Sequence, residues 1–201
     1  MPGFFDMHRM VCILLREHAP HSGHILVHGA GGGLELGSFA QFNPDWTFLG
    51  VDPSAPMLEQ AKQRLGPLNK RVTYHHGLID DAPAGKFDGA SSILTLHVLD
   101  ADSRLKTATE IVKRLKPGAP FIAVHCSYPQ NEKSLWADRH QAYTSASGID
   151  PETAKSGRET IETVLPILSP EDDAAILREA GLKNLTQFYA AFIWRGWVGY
   201  A

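Results

Sequence analysis

The chain has 201 residues, of which 43% are hydrophobic and 20% charged, with a formal net charge of −3. This is the composition of a globular domain long enough to bury a full core. The charge argues against a surface built generally for nucleic acid. Cys12 and Cys126 have no metal-ligand spacing and point to a reducing, cytoplasmic setting. The apolar run Val11 to Leu15 is too short for a membrane span and is followed by charge. One domain over residues 1–201 is expected.

Met1 to His18 carries aromatics and then Met10, Val11, Ile13, Leu14 and Leu15, spaced for one amphipathic helix. Pro20 and Gly23 mark a turn. Ile25-Leu26-Val27 reads as a strand. It ends in glycines at every second position, Gly29, Gly31 and Gly33. Leu34 to Phe42 is helix-competent, and Trp46 to Val51 is a second strand ending in Asp52. Pro53-Ser54-Ala55-Pro56 opens a helix to about Leu65, which Gly66 and Pro67 stop. Arg71 to His75 is a third strand, in which His75 and His76 point to opposite faces. It feeds Gly77-Leu78-Ile79-Asp80-Asp81.

Phe87 to Leu96 is apolar and β-capable, as a buried parallel strand should be, and leads into His97-Val98-Leu99. A helix over Asp102 to Leu115 ends at Lys116-Pro117-Gly118, and Ala119 to Cys126 is a fifth strand. Ser127 to Leu168 breaks the alternation, with helical stretches around Glu132 to Tyr143 and Pro151 to Val164. Connections this long are usually functional. Ser169 caps a further helix, with Asp172 at its third position. Leu185 to Ile193 and Trp194 to Ala201 read as a closing hairpin with its turn at Arg195-Gly196.

The strand, glycine turn, helix and second strand with an acid at its tip point to a nucleoside ligand. Glycines there permit positive φ and close approach to the backbone. Asp52 lies 19 residues past Gly33, near the spacing of a ribose-binding acid. A dinucleotide G-x-G-x-x-G needs glycine where Leu34 or Leu36 stands, which disfavours nicotinamide chemistry, and there is no P-loop.

VHGAGGG, GVDPSAPMLEQAKQRL, HHGLIDDAP, KFDGASSILTLHVL and EIVKRLKPGAPFIAV occur in that order. They resemble the successive motifs of class I S-adenosylmethionine (SAM) dependent methyltransferases, over about Ile25 to Val124. The resemblance implies an α/β Rossmann-like three-layer sandwich. Its seven-stranded, mostly parallel sheet would end in an antiparallel edge hairpin. It also implies SAM as cofactor and a small-molecule or nucleoside-like methyl acceptor. Gly29, Ala30, Gly31 and Gly33 would then form the cofactor turn, and Asp52 would hold the ribose. Pro53 and Met57 would pack on adenine, with backbone groups around Gly77, Leu78 and Ile79 holding its edge. The N-terminal helix often closes over the cofactor in this family, bringing in Phe4 or Phe5.

Residues 127–168 are expected to form a helical lid over the acceptor. Trp136, Tyr143, Trp194 and Arg195 are candidate acceptor contacts, with Arg195 hinting at an anionic group. His97, at the carboxyl end of the fourth strand, is the candidate general base. Methyl transfer needs such a base only when the acceptor must lose a proton. A metal site on His28, His97 and His125 is weighed and not expected, because His125-Cys126 lacks chelating spacing. The sequence does not separate a monomer from a homodimer.

Two departures shape the alternatives. The family usually carries Asp or Glu late in the first strand; here the residue is Val27, with Glu35 as an indirect substitute. A SAM-fold ligand-binding or partner protein without transferase activity is therefore an alternative. The stretches ADRHQAYTSASGID, SGRETIETVLPILS and ILREAGL are also loosely similar to the enzymes that build carboxymethylated SAM. Those enzymes use an arginine where this chain has Ile176, with Arg178 two residues on.

Overall fold

In the computed structural model, which describes residues 1–201, the strands form one sheet in the order β3-β2-β1-β4-β5-β7-β6. The parallel part comprises β1 (His24–His28), β2 (Thr47–Asp52), β3 (Val72–His76), β4 (Gly89–Ile93) and β5 (Pro120–Cys126). The hairpin of β6 (Lys183–Ala191) and β7 (Trp194–Tyr200) adds an antiparallel edge, with β7 against β5. Every residue of β4 and β5 is buried, which is why those segments lack apolar–polar alternation.

One face of the sheet is covered by α1 (Phe4–Arg16), α2 (Leu34–Phe42) and α3 (Ala55–Leu65). Its core includes Leu15, Val27, Leu36, Phe39 and Phe48. On the other face lie α4 (Ala101–Lys113) and α7 (Pro170–Glu179), around Leu26, Val51, Ala108, Leu177 and Trp197. Between β5 and α7 the chain forms α5 (Lys133–Ala146) and α6 (Pro151–Glu159). These enclose a small third core of Cys126, Tyr128, Ala137 and Ile161. From β1 the chain winds outward to β3, then returns to place β4 on the other side of β1. That reversal opens a crevice at the carboxyl ends of the strands, where ligands bind in such sheets.

Ser169 caps α7 as expected, accepting from the Asp172 amide at 3.1 Å. Three boundaries differ from the sequence reading. β4 stops at Ile93, because Leu94 turns into the left-handed region at φ +58°. The segment after it, Leu96–Val98, is a short 3₁₀ turn rather than strand. The predicted helix at 151–164 leaves α-geometry after Glu159 and ends in a π-turn over Thr160–Val164. The hairpin turns at Phe192-Ile193, with Phe192 at φ +52°, and Arg195-Gly196 lies inside β7. Gly196 is there for packing: a Cβ would sit 2.9 Å from the Phe188 ring.

Candidate functional site

The glycine turn connects β1 to α2 through Gly29, Gly31 and Gly33, all at positive φ. Two of them are fixed by close approach. A Cβ on Gly29 would fall 2.0 Å from the Thr95 hydroxyl, and one on Gly33 would fall 2.9 Å from Cα of Ala61 on α3. Asp52 closes the turn from the tip of β2. Its Oδ2 accepts from the Gly31 amide at 2.8 Å and its Oδ1 from the Ser54 amide at 2.9 Å. A carboxylate has about four acceptor positions, so both oxygens retain capacity for a diol.

A cavity of about 360 Å³ lies at this tip. Six of the residues predicted to hold a cofactor line it: Gly29, Asp52, Pro53, Gly77, Leu78 and Ile79. Leu78 and Val98 both line it with 60% and 53% of their surface exposed, an apolar pair suited to a flat ring. Ala30, Gly31, Gly33 and Met57 are not among its lining residues. Ala30 is packed in the core, Gly31 contributes its amide to Asp52, and Gly33 seats α2 on α3. The Met57 methyl lies over the outside of the turn, 3.6 Å from where a Cβ of Gly31 or Gly32 would be. Phe4 and Phe5 stack on each other at 5.5 Å and line none of the clefts described here.

The far wall comes from residues the sequence did not single out for this site: Thr95 and Val98 after β4, and Ser103, Lys106 and Thr107 on α4. Asp80 also lines the cavity and pairs with Lys106. Asp81 instead pairs with His75 at 2.9 Å. His28 lines the same cleft, with Nδ1 3.0 Å from the Ser92 hydroxyl. Burial lowers its pKa to about 4.

The 3₁₀ turn Leu96–Val98 is a wall with two sides. Val98 faces the first cavity, and His97 lines a second one of about 600 Å³. The second cavity has Cys126 and Trp194 from the sheet, His140 from α5, and Ser156, Thr160 and Ile161 from α6 and the π-turn. His97 is 7% exposed, and burial holds its pKa down at about 4, aided by His125 and Arg104. The imidazole is therefore neutral at pH 7. Behind it, Asp173 on α7 is buried against Arg104 and lies 3.2 Å from Nε2 of His125. Arg104 also donates to the carbonyls of Leu99 and Pro166 at 2.9 and 3.0 Å. The rings of His97 and His125 stack at 6.5 Å. No three His, Cys, Asp or Glu groups converge as a metal site.

Trp194 lines this second cavity, but Trp136, Tyr143 and Arg195 do not. Trp136 packs between the guanidinium groups of Arg139 and Arg195, at 4.5 and 5.5 Å. Tyr143 packs on Phe192 at 5.5 Å. Arg195 donates to the carbonyls of Phe192 and Trp194. These ring and charge types suit an acceptor pocket, but α5 and the hairpin turn direct them elsewhere.

The fold and the first cleft define a Rossmann-like α/β protein with a nucleoside-sized site at its topological switch point. The methyltransferase-domain profile matches residues 25–118. In sequence, the chain is 25% identical over 154 residues to carboxy-S-adenosyl-L-methionine synthase of Actinobacillus succinogenes, covering 74% of this chain and 64% of that one. The Campylobacter curvus synthase is 20% identical over 196 residues, 92% of this chain and 81% of that one. Demethylmenaquinone methyltransferase of Symbiobacterium thermophilum is 34% identical over 119 residues, 57% of this chain and 47% of that one. An O-methyltransferase family protein from Burkholderia thailandensis superposes with a TM-score of 0.72 at 16% identity, over 97% of this chain and 55% of that one. Human N-acetylserotonin methyltransferase, in complex with SAM, does so at 0.67 and 14%, over 98% and 53%. The chain belongs to the class I SAM-dependent methyltransferases, and SAM is the cofactor of that family. It spans about two-thirds of the first of these relatives and about half of the two solved structures. No helix is long and apolar enough to cross a membrane.

Proposed function

We propose that this chain binds SAM in the first cleft and transfers its methyl group to a small-molecule or nucleoside-like acceptor in the second. The observation that carries this reading is the shared wall: one short turn supplies Thr95 and Val98 to the nucleoside-sized cleft and His97 to the other. Asp52 holds the ribose hydroxyls, Leu78 and Val98 enclose the base, and the glycine turn receives the amino-acid end. The cofactor supplies an electrophilic methyl carbon on a sulfonium that leaves as a neutral thioether. The protein's main contribution is positioning, worth about 7–11 kcal/mol in favourable cases. When the acceptor is a hydroxyl, the neutral His97 accepts its proton as the new bond to carbon forms. The segment 127–168 acts as a lid on the acceptor side, within one domain of residues 1–201.

Formation of carboxymethylated SAM is the second reading, motivated by the relatives of that name. The chemistry of the clefts disfavours it. The one cation lining the first cleft, Lys106, is paired with Asp80. The second cleft has no Lys or Arg. Arg178 lies instead beside Pro170, Leu185 and Trp197 at the surface. Incubation with methyl-labelled SAM and a panel of hydroxyl compounds and nucleosides tests the proposal. Label in an acceptor, with release of S-adenosylhomocysteine, is expected. SAM binding with no transfer to any acceptor class would favour a non-catalytic ligand-binding protein.

A further inference from the structure

The second cleft contains three polar ring atoms that are buried and unpartnered: Nδ1 of His97, Nδ1 of His140 and Nε1 of Trp194. The Trp194 ring stands between the two imidazoles, with centroids 6.1 Å from His97 and 5.9 Å from His140, nearly edge-on to both. Buried polar groups left unpaired are costly, so three around one cavity point to a ligand that completes them. An indole N–H only donates, whereas a neutral imidazole donates at one nitrogen and accepts at the other. The complementary ligand presents an acceptor oxygen to Trp194 and a group that both donates and accepts to the imidazoles. A hydroxyl beside a second oxygen has that pattern.

Charge narrows the ligand further. Burial lowers the pKa of both His97 and His140, so neither contributes a cation at pH 7. The one side chain there charged at that pH is Glu152, exposed at the rim on α6. A carboxylate or phosphate entering this space would lose water without gaining a counter-charge. Cys126, Ile161 and Leu165 supply apolar walls for a carbon skeleton.

We propose that the acceptor is an uncharged, flat, mostly apolar hydroxy compound carrying a second oxygen next to the reacting hydroxyl, with the hydroxyl at His97 and the second oxygen at Trp194. This rests on the methyl-transfer reading and adds its substrate class. In the transfer, the hydroxyl oxygen forms the bond to the methyl carbon as the carbon–sulfur bond breaks. That bond's electron pair stays on sulfur, and the hydroxyl proton passes to His97 and then to solvent.

The test is calorimetric titration with 2-hydroxyacetophenone and with salicylate, the same ring bearing a carboxylate, in the presence and absence of S-adenosylhomocysteine. The ketone is expected to bind at least tenfold more tightly than salicylate. Trp194→Phe is expected to weaken ketone binding at least fivefold. Ser156→Arg, at an exposed helix position lining the cleft, is expected to bring salicylate to within threefold of the ketone or past it. It serves as the readout if Trp194→Phe misfolds. Equal or tighter salicylate binding to the unmodified protein, no binding of either probe, or folded variants that leave the preference unchanged would overturn the proposal. Failure of S-adenosylhomocysteine itself to bind would instead count against the methyl-transfer reading, and the ketone–salicylate comparison without it still judges the cleft.

Discussion

The Ser91 hydroxyl on β4 donates to the Glu35 carboxyl on α2 at 2.7 Å, and Ser91 is the residue that pairs with Val27 on β1. The family's strand-end acid is absent at Val27, yet a carboxyl reaches the neighbouring position on the same sheet from the first turn of the next helix. Glu35 is buried, and its pKa is raised to about 8, first by desolvation and then by the nearby Asp52 charge. The acid is thus held protonated beneath the cofactor turn.

That arrangement sets a pH dependence of stability. Folded Glu35 keeps a proton that the unfolded chain releases above 4.5, so its stabilisation is full below pH 4.5 and is lost as pH rises to about 8. His8, His28 and His97 act oppositely, because burial lowers each from 6.5 to about 4. Their contribution is full above pH 6.5 and is lost on acidification toward 4. Between pH 6.5 and 8 Glu35 dominates these four, and stability falls by about 2 kcal/mol. In thermal melts of ligand-free protein, Tm should drop by roughly 4–8 °C over that window. Glu35→Gln should flatten the drop. A variant that keeps the full slope would assign it to another group.

Gly33 belongs to the helix interface rather than to the cleft. Alanine there meets Ala61 and Leu65 of α3 at 2.8–2.9 Å and must also adopt φ +78°. Gly33→Ala should cost about 2–4 kcal/mol of stability from overpacking and left-handed strain. Urea unfolding measures this, and a loss below ~1 kcal/mol would show that α2 moves without penalty.

His97→Gln separates chemistry from cofactor binding. If His97 takes the acceptor's proton, kcat should fall by about 10²–10⁴-fold while SAM affinity stays within about threefold. With the imidazole at about 4, the acid limb of the kcat/KM profile should lie below the ordinary histidine range. An acid limb near 6.5, or unchanged kcat in the variant, would remove His97 from the proton transfer.

Much of this was legible in the sequence because the relevant signals are local. The glycine alternation followed by Leu34 to Phe42 marked β1, the turn and α2, and Asp52 falls at the tip of β2. The far wall of the cofactor cleft was not legible. Ser103, Lys106 and Thr107 sit on a face of α4 whose orientation depends on tertiary docking. The acceptor residues chosen by ring and charge type fared unevenly for the same reason. Trp194 is in the second cleft, whereas Trp136 and Tyr143 share its helix-rich surroundings but pack away from it. Arg195-Gly196 has turn-like composition, but the glycine serves the Phe188 ring and the turn falls one step earlier.

Asp52→Ala addresses the cofactor directly. Removing the carboxylate takes away a charged, potentially bidentate partner for the ribose and the link from β2 to the Gly31 amide. SAM affinity should fall at least tenfold, about 1.4 kcal/mol. Unchanged affinity in a folded variant would move the ribose elsewhere.

The most direct measurement is isothermal titration calorimetry of folded, ligand-free protein with SAM and, separately, with S-adenosylhomocysteine, after mass spectrometry has verified that no ligand is retained from expression. Micromolar binding of both is the predicted result: Asp52, the glycine turn and the apolar walls then suffice as a cofactor site with valine at position 27. No binding of either would contradict it and would mean that the loss of the strand acid is not made good by Glu35.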